Sequence, residues 1–387
     1  MKEAFTEGLE KAAASVLDAI ASLLGYRDEP LRGAPSDGSV TLPDDLFAKR
    51  DVQTEWWYYT GHCQREDGRR FGFELVFFKR RTDLDRIGVL PMTALANPMY
   101  FAHFAISDID AQTFRYDHIR SFDKPLDTPV AMSETSCDVR LGDWSLREVA
   151  GRHILHATLN DGLKFDAILE PTKPVVLNGD EGSGIAKKGN GGSNHFSFTR
   201  MSVAGQTNAD GKVETFTGSA WMDREFGIWE HGYWDWFSIQ FDDATELMIY
   251  RFKNQDGSEG ESTGTFVDVD GNCSYLTRAD FEIETVSTWT SPRNGAVYPA
   301  SSRVRVQKLD IDINIAPLIA DQELDTRGTT MVVYWEGCCD VAGTKAGVSI
   351  TGRAYVELVG YDRSHENVDL ATFLFGAQIE KFKQAIA

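Results

Sequence analysis

The segment from His195 to Trp236 concentrates residue types that can protonate an unsaturated hydrocarbon. Tryptophans and charged residues alternate there: Trp221, Trp229, Trp234, Trp236, Asp223, Arg224, Glu225 and Asp235. Large aromatic side chains beside carboxyl groups can form a pocket with apolar walls and a few polar groups. Burial in such a pocket raises the pKa of a carboxyl group, which can then act as a general acid near neutral pH.

Aromatic faces also stabilise a cation, by roughly 0.5 to 2 kcal/mol each. The segment therefore holds what is needed to protonate an alkene and to hold the resulting carbocation. The alternative interpretation is structural: a tryptophan-rich core in which Arg224 pairs with Asp223 or Glu225 on its rim, because structural ion pairs also perturb pKa values. Composition leaves both interpretations open.

Metal and disulfide chemistry are not indicated. His153 and His156 are three apart in a predicted strand, which places them on opposite faces, and no HExxH string occurs. The five cysteines include no CxxC pair, so neither a zinc cage nor a disulfide framework is expected. We therefore expect no metal or other cofactor, and a reducing cytoplasm as the location.

Three strings resemble catalytic or phosphate-binding motifs but stand in the wrong context. The aspartates of 242–246 fall at a predicted hairpin turn, where Asp is an ordinary turn residue. The GxSxG string at 260–264 has no helix pattern after it, so we interpret it as a loop between strands. Residues 179–193 are rich in glycine but precede no helix, which favours a flexible loop over a phosphate cradle.

Short strands must position these groups. Pairs of β-favouring runs flank turn residues in both halves of the chain: 55–62 with 71–78, 154–159 with 163–169, 198–203 with 213–219, and 237–241 with 247–252. This pattern predicts an all-β fold of sandwiches or barrels. Trp56-Trp57-Tyr58 opens the first hairpin, and Trp234-Asp235-Trp236-Phe237 opens a similar one, which indicates two related β modules that meet near residues 225–235.

The length of 387 residues also favours two domains. Apolar residues at helical spacing over the first 25 positions predict a short N-terminal amphipathic helix, and the proline- and glycine-containing residues 26–50 predict a linker. We divide the chain into the helix and linker (1–45), a first β domain (46–228) and a second β domain (229–387).

The net charge of −20 argues against nucleic-acid binding and disfavours attraction to an anionic membrane. No apolar run is long enough to span a bilayer. The N-terminal helix could dock on the body of the protein, on a partner, or transiently on a membrane surface.

A series of strings from about residue 50 to 361 resembles the AttH-like family, which includes the carotenoid 1,2-hydratases. The strings are 55–58 with 71–78, Gly218–Glu225, Trp234–Gln240, Glu246–Arg251, Tyr298–Ala300, Asp321–Leu324, Tyr334–Gly337 and Gly352–Leu358. The resemblance implies two lipocalin-like β domains in tandem, with a cavity within or between them. It also implies an apolar isoprenoid or polyene as the small-molecule partner.

The family includes hydratases, fungal enzymes that guide cycloadditions and bacterial enzymes that cyclise terpenoid chains. By resemblance to the hydratases, Asp223 is the acid, and Trp221 stands where those enzymes have tyrosine. His195 lies near the histidine of their His-x-Trp string, but Ser197 replaces its tryptophan. These departures favour a drier site, in which another double bond quenches the cation.

The resulting hypothesis is a cofactor-independent terpenoid cyclase in which Asp223 protonates an alkene or epoxide. Trp221 would help to stabilise the cation, and His195 or Glu225 would orient Asp223 or remove the final proton. The predicted substrate-binding residues are Trp56, Trp57, Tyr58, Trp234, Trp236, Tyr334, Trp335 and Glu336. The alternatives are a hydratase, a pericyclase that folds a polyene without a proton donor, and a carrier of an apolar ligand.

Overall fold

The chain folds into two curled antiparallel β-sheets with few helices. The computed structural model describes residues 11, 13–20, 31, 39–82, 86–87, 89–125, 127–188, 191–209, 211–228, 232–254, 256 and 258–362. The all-β prediction is confirmed, and every strand of the first sheet lies before residue 229 and every strand of the second after it.

The first sheet curls into a near-barrel, and a two-stranded ribbon (β3 and β4) lies beside it. The strands are β1 (Thr54–Arg65), β2 (Arg70–Arg80), β3 (Arg86–Ile87), β4 (Leu90–Pro91), β5 (Met99–Asp108), β6 (Thr113–Ser121), β7 (Val130–Met132), β8 (Asp138–Leu141), β9 (Trp144–Val149), β10 (Arg152–Thr158), β11 (Lys164–Pro171), β12 (Val176–Leu177), β13 (Ile185–Lys188), β14 (Gly191–Thr207) and β15 (Glu214–Ile228). Phe104 on β5 reaches Trp144 on β9 across the interior, with ring centroids 5.8 Å apart.

The second sheet forms a half-barrel around its own core. Its strands are β16 (Gly232–Phe241), β17 (Glu246–Asn254), β18 (Glu259–Val267), β19 (Cys273–Thr277), β20 (Phe281–Thr290), β21 (Val297–Val306), β22 (Ile311–Pro317), β23 (Glu323–Asp325), β24 (Val333–Lys345) and β25 (Val348–Val359).

The described helices are short. Residues 13–20 form α1, and α2 is Met92–Leu95. The 3-10 helices are Asp44–Leu46, Asp180–Gly182, Arg278–Asp280 and Gln307–Leu309. In α1, Val16 and Ile20 are 59% and 47% exposed, and the rest of the predicted N-terminal helix lies outside the described residues, as does part of the predicted linker.

The predicted repeat is visible in the strand order. The first sheet runs β6-β5-β2-β1-β15-β14-β11-β10-β9-β8-β7, and the second runs β19-β18-β17-β16-β25-β24-β22-β21-β20. In each sheet the opening hairpin continues outward on one side, and the opening strand pairs on its other side with the last strand of the sheet.

Two loop predictions were wrong. Residues 185–188, within the glycine-rich stretch, form β13 and pair with the start of β14. The unpaired backbone groups along the edge of a strand can form hydrogen bonds even with a glycine-rich segment. The GxSxG string lies inside β18, where the side chains of Thr263 and Thr265 favour the extended backbone.

The central strands of both sheets are buried on both faces. Side chains alternate along a strand, so Trp57 and Tyr59 enter the core of the first sheet while Trp56 and Tyr58 face the second sheet. In the same way, Phe237 enters the second core and Trp236 faces the first sheet. The two sheets therefore pack against each other through a third, aromatic-rich cluster.

Candidate active site

A cavity opens within this aromatic-rich interface between the sheets. The cavity has a volume of about 70 Å³ and is open to solvent. Six aromatic side chains form its walls, and four polar side chains reach it: Trp56, Tyr58, Phe78, Trp234, Trp236 and Tyr250, with His195, Asp223, Glu225 and Glu357. The cavity thus has the apolar walls and few polar groups typical of a small-molecule site.

Asp223 is held from three sides. Its Oδ2 lies 3.0 Å from Nε2 of His195, and its Oδ1 accepts hydrogen bonds from Nε1 of Trp221, at 2.7 Å, and from the hydroxyl of Ser197. Asp223 as a residue is 4% exposed. The structure therefore brings together Asp223, His195 and Trp221 and fixes the carboxyl group in one orientation.

Ser197 and Asn178 support this group, and sequence reasoning did not assign either of them a role. Asn178 Nδ2 donates to Ser197 Oγ at 2.7 Å, and Asn178 Oδ1 accepts from Thr265 Oγ1 in the second sheet at 3.3 Å. The sequence could have indicated a role for Ser197, because side chains alternate along β14 and Ser197 therefore lies on the same face as His195.

Two further carboxylates line the cavity. Glu225 accepts a hydrogen bond from Ser193, and Glu357 accepts one from Nε1 of Trp234 at 2.6 Å. Glu357, Phe78 and Tyr250 were also missed as lining residues, although Glu357 is two positions after Tyr355 in a string that carried the family resemblance. Trp229 lies outside the described residues.

Arg224 faces away from the cavity. Its guanidinium pairs with Glu55 at 2.6 Å, lies 4.0 Å from the ring centroid of Trp57 and donates to the carbonyl of Phe47 at 2.9 Å. Although burial opposes ionisation of Glu55, the positive charges of Lys79 and Arg224 lower its pKa. The pairing of Arg224 with the side chain of Asp223 or Glu225, considered as an alternative, is thus replaced by a buried pair on the other face.

Several predicted substrate-binding residues lie away from the cavity. Trp57 and Trp335 occupy the first and second cores, where their indole N–H groups donate to the carbonyls of Leu46 and Ala320, at 2.7 and 3.0 Å. Trp57 and Trp335 are each one position away from residues that face the interface. Because side chains alternate along a strand, these two tryptophans point into the cores instead.

Tyr334 and Glu336 belong to the interface but lie behind the cavity wall. Tyr58, which lines the cavity, donates from its hydroxyl to Glu336 Oε1 at 2.7 Å, and Tyr334 donates to Glu74 Oε1 at 2.9 Å. Trp221 likewise stands behind Trp236, with ring centroids 6.1 Å apart. None of these three residues lines the cavity: Glu336 and Trp221 contact lining residues, and Tyr334 contacts Glu74.

Among the described residues, no group of three or more His, Cys, Asp and Glu side chains is placed to hold a metal ion. No helix in that part of the chain is long and apolar enough to cross a membrane.

Comparison with known proteins places these observations in a family. A family profile described as AttH-like matches residues 34–361. A protein from Nitrosomonas europaea assigned as an AttH has a crystal structure that matches with a TM-score of 0.74 and 29% identity, over 86% of this chain and 100% of that chain. No curated protein matches the chain in sequence.

Two more distant structures share the fold. Kievitone hydratase from Nectria haematococca matches with a TM-score of 0.65 and 15% identity, over 86% of this chain and 96% of that chain. CghA matches with a TM-score of 0.52 and 14% identity, over 86% and 95%. At these identities the likeness shows the architecture alone.

Proposed function

Since the chain belongs to the AttH-like family, we propose that it is an enzyme that protonates a double bond of an isoprenoid or polyene and cyclises it. One observation carries the proposal: Asp223, hydrogen-bonded to His195, reaches a cavity whose walls are aromatic rings. A carboxyl group with an imidazole partner can hold a transferable proton, and rings around it can stabilise a cation.

The reaction follows from this arrangement. The π electrons of the alkene form a new C–H bond with the proton held between Asp223 and His195, which leaves a carbocation on the neighbouring carbon. The faces of Trp56, Trp234 and Trp236 stabilise that cation by roughly 0.5 to 2 kcal/mol each. A second double bond of the folded chain attacks the cation and closes a ring, and loss of a proton from an adjacent carbon restores an alkene.

Trp221 and Ser197 position the acid. Each donates a hydrogen bond to Oδ1 of Asp223, so the Oδ2 atom remains directed to His195. Trp221 occupies the position where the related hydratases have tyrosine, and its indole N–H supplies the hydrogen bond that a phenol would otherwise make.

Hydration is the second candidate. Glu225 and Glu357 add hydrogen-bond acceptors to the cavity lining, and such groups can orient a water molecule for attack on the cation. The six aromatic walls favour cyclisation, because they leave little polar surface to hold water near the cation.

The test is incubation of the purified protein with a panel of linear prenyl substrates, followed by mass spectrometry. Cyclisation leaves the mass unchanged and hydration adds the mass of water. Asp223→Asn should lower turnover by about 10²-fold or more, the range typical of a lost general acid. Asp166→Asn is the matched control, because Asp166 pairs with His156 at 2.6 Å on the surface.

Near-normal turnover by Asp223→Asn would overturn the acid assignment and favour a pericyclase, which needs no proton donor. Recovery of a bound prenyl compound unchanged after long incubation would instead favour a carrier.

A further inference from the structure

A second line of polar side chains starts at the cavity and runs through the buried interface. It begins at Tyr58, the cross-strand neighbour of Asp223 in the pairing of β1 with β15. The Tyr58 hydroxyl donates to Glu336 at 2.7 Å. Because directly opposed residues on one face of a sheet lie side by side, Tyr58 stands next to the acid of the proposed reaction.

Glu336 and Glu74 form the centre of this line. Both are 1% exposed, and the Oε2 atom of each contacts no hydrogen-bonding group among the described residues. Burial raises the pKa of Glu74 to about 8 and that of Glu336 well above its usual range, with further upward effects from Glu74 and Glu357 on Glu336. Because both carboxyl groups are buried and the charge of Glu74 raises the pKa of Glu336 further, the pair retains a proton near neutral pH.

The groups that face this pair are also buried. Tyr58 and Tyr334 donate hydrogen bonds to the pair. The pKa of Tyr355 on β25 is raised well above its usual value by burial first, and then by the charges of Cys338, Glu336 and Glu74. Positively charged side chains are not among the causes that shift the pKa of either glutamate.

From Glu74 a second arm of hydrogen bonds leads toward the surface. Tyr334 donates to Glu74 at 2.9 Å, and Nδ1 of His103 lies 2.8 Å from the Tyr334 hydroxyl. Nε2 of His103 lies 3.3 Å from Thr329 Oγ1, which is 3.0 Å from Nδ1 of His118. His118 is half-buried, whereas His103 is 1% exposed.

His103 can pass a proton in both directions. Its burial, and then the charge of His118, hold its pKa well below the usual value, so the imidazole is neutral. Since Tyr334 already donates to Glu74, Nδ1 of His103 donates to Tyr334. Nε2 can then accept the single hydroxyl proton of Thr329, which Thr329 otherwise donates to the carbonyl of Thr326 at 3.0 Å. We use the name interface relay for two hydrogen-bonded arms: Tyr58 with Glu336, and Glu74 with Tyr334, His103, Thr329 and His118. The arms meet at the two glutamates, where the charge of Glu74 raises the pKa of Glu336.

We propose that the interface relay is the proton acceptor of the cavity: it takes up the proton lost by the final cation and releases it to solvent at His118. This rests on the proposed acid-catalysed function. In the step, a C–H bond beside the cationic carbon breaks and its electrons form the new double bond. The proton goes to the Tyr58 oxygen, and the Tyr58 proton goes to Oε1 of Glu336.

The pair then holds one proton too many. The extra proton leaves after the Tyr334 hydroxyl and the His103 tautomer reverse: Glu74 then donates to Tyr334, Tyr334 to Nδ1 of His103, Nε2 of His103 to Thr329, and Thr329 to His118. Such a route avoids leaving an isolated charge in the buried interface, which would be costly. Tyr58 also separates the accepting group from Asp223, so the enzyme need not use one carboxyl group as both acid and final base.

The test follows the buried proton itself and needs no substrate. Infrared spectra of the protein near neutral pH should show the C=O stretch of a protonated, buried carboxyl group, absent from the Glu74→Gln/Glu336→Gln double variant. On transfer to D₂O this band should shift quickly in the unaltered protein. In Tyr334→Phe, which keeps both carboxyl groups, the shift should be at least about tenfold slower, because one hydrogen bond of the path is missing.

Tyr298→Phe is the matched control. Tyr298 is a buried tyrosine that donates to Glu323 at 2.9 Å in the second sheet, away from the relay, and its loss should leave the exchange rate unchanged. Equal exchange rates in Tyr334→Phe and the unaltered protein would overturn the proposal. So would a carboxyl band that persists in the double variant.

With a turned-over prenyl substrate, Tyr58→Phe should lower kcat with little change in KM and divert the cation to other products. An unchanged kcat and product spectrum would overturn the role of Tyr58. If no prenyl compound is turned over, the proposed reaction fails while the exchange result on the relay stands, so the two failures are distinguishable.

Discussion

Replacement of Glu74 by glutamine tests whether the native protein holds a proton at this site. Glutamine keeps the size of the side chain and an oxygen that can accept the hydrogen bond from Tyr334. It resembles the protonated acid but cannot release a proton. The variant should therefore lose one specific dependence of stability on pH.

The sign and size follow from the raised pKa of Glu74. The unfolded chain releases this proton above about pH 4.5, whereas the native protein keeps it up to about pH 8. Stability is thus fully present below pH 4.5 and is lost as the pH rises toward 8. A rise from 4.5 to about 8 corresponds to roughly 5 kcal/mol, at about 1.4 kcal/mol for each pH unit.

The assay is urea-induced unfolding of both proteins at about pH 5 and about pH 8. The free energy of unfolding of the unaltered protein, relative to the variant, should fall by up to roughly 4 kcal/mol between them, because the assay covers about three pH units at about 1.4 kcal/mol each. His62 and His153, whose pKa values burial lowers to about 4, titrate equally in both proteins and cancel. Glu282→Gln, at an exposed pair with Arg305, is the control.

If the stability difference between the unaltered protein and Glu74→Gln is the same at both pH values, Glu74 is ionised in the native state. The argument for a proton stored in the interface would then fail.

Three further changes have defined outcomes. Arg224→Met should cost about 3 to 5 kcal/mol in urea unfolding, since it strips a partner from a buried carboxylate, whereas Arg303→Met at an exposed pair should cost under about 1 kcal/mol. Gly72→Ala should destabilise by about 1 to 3 kcal/mol, because its Cβ would lie 2.8 Å from a Cys338 carbon across the interface; unchanged stability would mean that the sheets separate freely. Trp221→Phe removes a hydrogen bond to the acid and should lower kcat more than it changes KM, so an effect on KM alone would contradict the positioning role.

The sequence was informative about the strands and less so about their faces. Hairpins were readable because turn residues separate β-favouring runs, and the repeat was readable because aromatic strings open both halves. In strands buried on both sides, however, apolar residues run almost continuously, so the two faces look alike in the sequence. Trp57 and Trp335 were therefore assigned to the ligand although they belong to the cores.

The site was predictable in its centre only. Asp223, Trp221 and His195 were found together because the first two share a strand and the third fell near a family motif. Glu74 and Glu357 were not predicted from the sequence. They lie on β2 and β25, and only the pairing of β2 with β5 and of β24 with β25 brings these distant carboxyl groups into the interface. The spacing of residues in the sequence does not predict which outer face of the first sheet packs against the second sheet.

Along β1, β15 and β16, alternate positions of a single strand are under two different structural constraints. One set of alternate positions maintains the barrel interiors, and the other shapes the space between the sheets. The cavity can thus diversify by changes at every second residue while the interiors stay constant. A library restricted to positions 56, 234 and 236 would vary the walls of the cavity without altering either core, whereas a one-residue insertion in the same strand would exchange the two sets and abolish both.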